Sequence, residues 1–296
     1  MLTVIIPSYN ESSDLLVMCR EIEKTFLDYN NVEILVIDDG STDSKSIGIL
    51  EQLDKSKFNN LRIIRNYQNV GYGSSLKQGL VLSSNENIAF LDADNSYSVS
   101  DLLKLFKVYL EHHADMVVGI RRGKYYRGNF TKIVLRSLLI RLAEYMCRSK
   151  IPDINSGIRI IRKNHFFNFR GLMSDRFSFT TSLSLISLQK GFRTIFEPVD
   201  YKKRKGKSHV KLISDGFTAV GQILSISMFF NPLRVIFLFF QSTLIVLFLL
   251  TLISLATKSL VYIILGVGLS LASMLLVLGL ISHLIKDLNH KNHDSR

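Results

Sequence analysis

Two stretches near the C-terminus restrict this chain more than anything else in it. Residues 235–256 carry no charge, and residues 259–285 carry none apart from the titratable His283. Each exceeds the roughly 20 apolar residues that cross a bilayer, so each is predicted to be a transmembrane helix. Buried core helices are the poorer alternative, because both stretches are long and uniformly apolar. Arg234 precedes the first stretch, and Lys286, Lys291 and Arg296 follow the second. The connecting Thr257-Lys258-Ser259 holds one cation. The positive-inside rule then places both termini in the cytoplasm, as in an integral protein of the inner or plasma membrane. The opening Met1-Leu2-Thr3-Val4-Ile5-Ile6-Pro7 lacks a basic segment and a long apolar core, so it is not read as a signal peptide.

Upstream, short apolar runs at 2–6, 33–37, 61–64, 88–91 and 115–119 alternate with helical patterns. The pattern over 11–26 is carried by Leu15, Met18, Cys19, Ile22 and Phe26, and a second helix is predicted over 76–82. This alternation predicts a doubly wound, mostly parallel α/β sheet. Such sheets bind ligands beyond the carboxyl ends of their strands. Three of the runs end in polar turns there: Tyr9-Asn10-Glu11, Asp38-Asp39 and Asp92-Ala93-Asp94. Two carboxylates one residue apart suit a hard divalent cation, Mg²⁺ or Mn²⁺, shared with substrate phosphates. The plainer alternative makes each a local turn former. Asp92 and Asp94 would then cap a helix near Ser98 to Asp101, and Asp38 and Asp39 would form an Asx turn before a helix capped by Ser41 or Thr42.

The net charge of +12 points to an anionic partner, which for a membrane protein is lipid rather than nucleic acid. Cys19 and Cys147 offer no disulfide framework and fit packing roles in a reducing compartment. His112, His113, His290 and His293 have no ligand-like setting. Basic and apolar residues mix over 132–148, and Ile213, Phe217, Val220 and Leu224 form a helical stripe just before the membrane. Both suit an interfacial helix, although core packing explains the first equally well. Gly266, Gly268 and Gly279 in the second span permit close helix packing, within one chain or between copies of a homo-oligomer.

Six motifs in order resemble family 2 glycosyltransferases with the GT-A fold. They are Ile6-Pro7-Ser8-Tyr9-Asn10-Glu11, Asp38-Asp39-Gly40-Ser41-Thr42-Asp43, Asn69-Val70-Gly71-Tyr72-Gly73, Asp92-Ala93-Asp94, Asp153-Ile154-Asn155-Ser156-Gly157-Ile158-Arg159 and Arg204-Lys205-Gly206-Lys207-Ser208. The last two, with two C-terminal membrane helices, resemble the polyprenyl-phosphate branch. That branch includes dolichyl-phosphate mannose synthases and bacterial undecaprenyl-phosphate glycosyltransferases.

The resemblance implies a GT-A, Rossmann-like domain over 1–210, a juxtamembrane amphipathic helix over 211–231, and a two-helix anchor with a short cytoplasmic tail over 232–296. It implies inverting transfer of a hexose from a nucleotide sugar, UDP-glucose or GDP-mannose, to undecaprenyl or dolichyl phosphate at the cytoplasmic membrane face. Pro7, Tyr9, Glu11, Asp38, Asp39, Gly71 and Asp92 would border the nucleotide sugar. Asp94 and Asp92 would hold the metal, with Ser96 standing where related synthases often have Gln. Arg121, Arg122, Arg136, Arg159, Arg204 and Ser208 would receive the acceptor phosphate, with Arg204 counted among the catalytic groups beside Asp92 and Asp94. Two alternatives compete. A processive polysaccharide synthase usually has a Gln-x-x-Arg-Trp element, and this chain has no Trp. A catalytically silent membrane scaffold has no need of intact carboxylates.

Overall fold

The computed structural model describes residues 1–11, 15–29, 31–123, 130–176, 178–202, 212–258 and 260–293. Along the chain, β1 (Leu2–Ser8), α1 (Leu15–Thr25), β2 (Val32–Asp38), α2 (Ser44–Lys55), β3 (Leu61–Arg65), α3 (Tyr72–Leu82), β4 (Asn87–Phe90), α4 (Val99–Glu111) and β5 (Met116–Arg122) alternate. There follow α5 (Phe130–Cys147), β6 (Arg159–Arg162), α6 (Lys163–Phe167), α7 (Phe179–Lys190), β7 (Thr194–Asp200), α8 (Leu212–Phe230), α9 (Pro232–Thr257) and α10 (Val261–His293). The chain divides into two compact units, residues 1–222 and 223–296, with the boundary inside α8.

In the first unit the strands form one sheet in the order β3-β2-β1-β4-β6-β5-β7. Strand β6 runs antiparallel to β4 and β5, and the other neighbours are parallel. Every residue of β1 is buried, as expected of a strand covered on both faces of a parallel sheet. Leu2, Val4 and Ile6 join one core with Leu15, Ile22, Leu102 and Phe106 of α1 and α4. On the other face Gly79 lets α3 lie directly on Ile5, and the Phe90 ring meets Phe179 of α7 edge-on at 5.6 Å. Helix α7 is buried continuously from Phe179 to Ser187.

All five strands expected from the sequence are present, with ends displaced by a residue or a few. Helix α3 begins at Tyr72 rather than near residue 76. The cap of α2 is a correction: neither Ser41 nor Thr42 serves, and Asp43 Oδ1 accepts the Ser46 N–H at 2.9 Å. The α4 cap is Ser98, whose Oγ accepts the Asp101 N–H, so Asp92 and Asp94 are left to another role.

The strand order positions a crevice. Strand β1 connects to β2 on one side and is flanked by β4 on the other, so the chain reverses direction of winding between β1 and β4. In register, Ser8 lies beside Asp38 and Ile5 beside Phe90. Because β6 is antiparallel, its first residue, Arg159, pairs with Phe90. The 153–158 loop therefore enters at the carboxyl edge of the parallel strands. Arg122, at the end of β5, pairs with Asp200 at the end of β7 on that same edge.

In the second unit α9 has 26 residues, about 39 Å at 1.5 Å per residue, against a hydrocarbon core of about 30 Å. Helix α10 supplies a further apolar span over Val261–Gly279. Both are long and apolar enough to cross a membrane. The two helices pack closely at Gly266, where an added Cβ would crowd Leu247. Thr243 and Ser273 share a hydrogen bond of 2.9 Å between them.

Candidate active site

The β1 turn and the β2 turn are tied together before any ligand arrives. Asn10, in the left-handed region at φ 53°, accepts the N–H groups of Thr42 and Asp43 on its Oδ1, and its own N–H donates to Ser41 Oγ at 2.9 Å. Asn and Asp tolerate this backbone region better than other side chains. The sequence places Asn10 in the first polar turn between Tyr9 and Glu11, and the fold gives it this bridging role. Tyr9 and Glu11 are half-buried on either side of it, and Pro7 is buried in β1.

Asp38 and Asp39 part company. Asp38 Oδ1 accepts from Ser41 N at 3.2 Å and Ser41 Oγ at 2.5 Å, which is the local turn offered above as the plainer alternative. Asp39 reaches across to the glycine-rich turn instead. Its Oδ1 accepts from Val70 N at 2.9 Å and Asn66 Nδ2 at 3.3 Å, and its Oδ2 from Gly71 N at 2.9 Å. Gly71 permits this at φ +107°, with the 175 backbone so close that a Cβ would overlap the Asp175 carbonyl. A carboxylate oxygen accepts two hydrogen bonds, so Asp39 Oδ2, which holds the Gly71 N–H, can accept another.

Beyond β4, Asp92 Oδ1 accepts the Tyr72 hydroxyl at 2.8 Å. Burial, and then the neighbouring Asp92 charge, push the Tyr72 phenol well above its ordinary value, so it stays a proton donor. Asp94 is only 8% exposed, and its Oδ1 accepts the Ser96 N–H at 3.0 Å. Ser96 Oγ is buried beside the Tyr201 phenol. Among the described residues no three His, Cys, Asp or Glu side chains converge. Two carboxylates and a buried hydroxyl nonetheless fit a hard cation that takes its remaining ligands from water and phosphate oxygens.

The expected phosphate-binding arginines separate into three groups. Arg121 is clamped to Asp153 by two bonds, Nε to Oδ2 at 2.7 Å and Nη2 to Oδ1 at 2.8 Å, while its guanidinium carbon lies 5.5 Å from the centre of the Tyr201 ring. Arg122 is exposed at the same edge, and Arg136 is half-buried on α5. Arg159 is a correction. It is 0% exposed and donates to the carbonyls of Ser156 at 2.8 Å and Ile154 at 2.7 Å and to Ser184 Oγ at 2.8 Å. Burial lowers its pKa to about 10. These three bonds tie the loop to α7, since a paired buried guanidinium is the stable way to enclose that charge. Arg204 and Ser208 lie outside the described residues.

The structure also brings Tyr97, which no motif marks, against the 153–158 loop. Tyr97 Oη accepts the Gly157 N–H at 3.0 Å and shares a hydrogen with Ser156 Oγ at 3.3 Å. Gly157 packs against Asp92 so closely that a methyl group there would overlap the carboxylate. The Gly157 motif was visible in the sequence, but its contact with Asp92, 65 positions away, depends on the antiparallel β6.

Known proteins align with this arrangement. A family model described as Glycosyl transferase family 2 matches residues 3–170. The mouse (Mus musculus) dolichyl-phosphate beta-glucosyltransferase is 28% identical over 206 residues, covering 63% of this chain and 62% of the enzyme. Its Dictyostelium discoideum counterpart is 32% identical over 177 residues, 55% of this chain and 54% of the enzyme. The matched stretch thus spans less than two thirds of either relative. An uncharacterized Methanocaldococcus jannaschii protein is 29% identical over 207 residues, 66% of this chain and 85% of its own length. In fold, the chain superimposes on glucosyl-3-phosphoglycerate synthase from Mycobacterium tuberculosis, solved with Mn²⁺, UDP and glucosyl-3-phosphoglycerate. The TM-score is 0.60 at 18% identity, over 76% of this chain and 79% of that one. The sheet is accordingly of the GT-A kind. With the family model extending from β1 through β6 and past the carboxylates at the sheet's edge, the chain belongs to glycosyl transferase family 2.

Proposed function

We propose that this protein transfers a hexose from a nucleotide sugar to a polyprenyl phosphate at the cytoplasmic face of a membrane, giving a lipid-linked monosaccharide with inversion at the anomeric carbon. The observation that carries the reading is the Asp92-Ala93-Asp94 turn at the winding reversal, with Asp92 half-buried and Asp94 buried, in a chain that also holds two membrane-length helices. UDP-glucose is the favoured donor, with GDP-mannose the other. The names of the dolichyl-phosphate relatives support glucose and a polyprenyl phosphate, and the UDP complexes of the fold neighbours support the uridine nucleotide.

Residues 1–210 act as the catalytic domain, 211–231 as a juxtamembrane helix and 232–296 as the anchor, with both termini cytoplasmic. On α5, Ile133, Val134, Leu135 and Leu138 are exposed beside Arg136 and Arg141, a composition that suits contact with the bilayer surface.

The reaction asks little acid–base work of the protein. An anionic oxygen of the lipid phosphate attacks the anomeric carbon. The bond from that carbon to the diphosphate breaks, and the nucleoside diphosphate leaves with the electron pair. Because the nucleophile is already anionic, no general base is required. What must be overcome is the approach of two anions and the charge developing on the leaving group. A divalent cation, Mg²⁺ or Mn²⁺ held by Asp94 and Asp92 with Ser96 adjacent, supplies positive charge to the diphosphate when bound. Tyr9, Glu11, Asp39 and Gly71 line the nucleotide side, Asp39 with its remaining acceptor site on Oδ2. Pro7 supports that turn from inside β1, and Asp38 holds it through Ser41. Arg122, Arg136, Arg204 and Ser208 serve the acceptor phosphate, and Arg121 serves through its hold on Asp153.

The test is a transfer assay with purified full-length protein, Mg²⁺ or Mn²⁺, undecaprenyl phosphate and radiolabelled UDP-glucose or GDP-mannose. An organic-extractable product that forms with one donor and is lost with EDTA, and falls about 100-fold or more in Asp94→Ala, supports the reading. A folded wild type that forms no lipid-linked product with either donor overturns it.

A further inference from the structure

Asp92 is gripped on both oxygens. Tyr72, on the first turn of α3, donates its hydroxyl to Oδ1 at 2.8 Å. Against Oδ2 lies the bare Cα of Gly157, where a methyl group would overlap the carboxylate. Neither gripping element is free to drift. Gly157 N–H is bonded to the buried Tyr97 phenol, the flanking carbonyls are held by the enclosed Arg159, and the Tyr97 ring meets Tyr201 at 5.4 Å. The first turn of α3 is fixed by Asp39 on the Gly71 N–H and by Asp175, whose carbonyl accepts the Ser74 N–H at 3.0 Å and whose carboxylate pairs with Lys77. A carboxylate at a turn ordinarily has several rotamers open to it. This one has a donor on one oxygen and a wall against the other.

From these contacts we propose that Tyr72 is a positioning residue for the donor: with Gly157 it holds the Asp92 carboxylate in one orientation, so that the nucleotide sugar meets a group already in place. Preorganisation of this kind removes the cost of ordering the side chain at each turnover. The proposal rests on the reading above that Asp92 contacts the donor.

The experiment compares wild type, Tyr72→Phe, Asp92→Ala and the double variant as full chains. It measures donor kinetics and, separately, calorimetric binding of the donor with Mn²⁺. The donor is whichever of UDP-glucose and GDP-mannose the wild type turns over. Loss of one hydrogen bond to a charged group corresponds to roughly 10- to 100-fold. Tyr72→Phe is therefore expected to lower kcat/KM for the donor and the calorimetric donor affinity within that range, with KM for the lipid acceptor unchanged. In the Asp92→Ala background the same replacement is expected to change donor affinity no further, since the phenol has no carboxylate to hold. Additive losses in the double variant, or wild-type donor kinetics in Tyr72→Phe, overturn the proposal while leaving the functional reading intact. A folded wild type that neither binds nor turns over either donor overturns the functional reading and this proposal with it. Should Tyr72→Phe lose its fold, Gly157→Ala presses on the other oxygen. It is expected to give the same donor-specific, non-additive loss, and unaltered donor affinity in that variant counts against the proposal.

Discussion

Arg159 and Asp94 are both buried charges, yet their surroundings give them opposite consequences. Arg159 is closed in by two carbonyls and a hydroxyl, and removing it leaves those acceptors unpaired in a dry interior. Arg159→Ala is expected to destabilise the catalytic unit by about 3–5 kcal/mol, read as a lowered thermal midpoint, with Arg159→Lys recovering little because an ammonium cannot span the same acceptors. Asp94→Ala removes a carboxylate whose surroundings remain polar, so its expected loss is in transfer and not in the melt. Cys19 illustrates the inert kind of buried group: burial pushes its thiol up to about 12. Since the thiolate is the reactive form, Cys19 in the folded protein is expected to resist iodoacetamide at pH 8 and to react once the chain is unfolded. A sequence lists an arginine, an aspartate and a cysteine in each case. Their burial, which sets these outcomes, comes from how other elements of the fold close over them.

Elements are joined at the amino edge of the sheet by Glu33. Its carboxylate accepts from Thr3 of β1 at 2.7 Å, Arg62 of β3 at 2.7 Å and the Ser84 N–H after α3 at 2.8 Å. Burial alone would raise its pKa, but the bonds from Ser84, Thr3 and Arg62 outweigh it and the net shift is downward. A carboxyl whose folded pKa lies below its unfolded value contributes stability that is fully present above the unfolded pKa, about 4.3, and is lost as pH falls through the folded value. The stability gap between wild type and Glu33→Gln is therefore expected to be widest near neutral pH and to close below about pH 4, measured by urea unfolding across that range. At this scale the sequence was informative where periodicity was clean: β1 to β5 are short apolar runs bounded by turns. It was silent on β6, whose Ile160 and Ile161 are flanked by arginines. It was also silent on α7, where Ser and Leu alternate because burial on all sides leaves no polar face to mark a helix.

For the molecule as a whole, the proposed topology makes the Thr257-Lys258-Ser259 turn the one segment between the spans on the far side of the membrane. In intact cells, Lys258→Cys is expected to take up a membrane-impermeant maleimide, while the native thiols stay unlabelled because both Cys19 and Cys147 are buried. Labelling of Lys258→Cys only after the cells are opened reverses the topology. Alkaline carbonate washing is expected to leave the protein in the membrane fraction, as two apolar helices of this length require.

The chain's own order of residues decided a good deal. Charge-free stretches too long for a core decided the two membrane-length helices, and apolar runs ending in carboxylates decided an α/β sheet with an acidic edge. Those are local properties, carried by hydropathy and period. Only the tertiary structure decided which of two adjacent aspartates closes a turn and which reaches the glycine-rich loop, that Arg159 is enclosed, and that Gly157 stands under Asp92. The first depends on the loop after β3 returning beside β2, and the other two on the antiparallel insertion of β6 between β4 and β5, long-range pairings whose register no local pattern encodes.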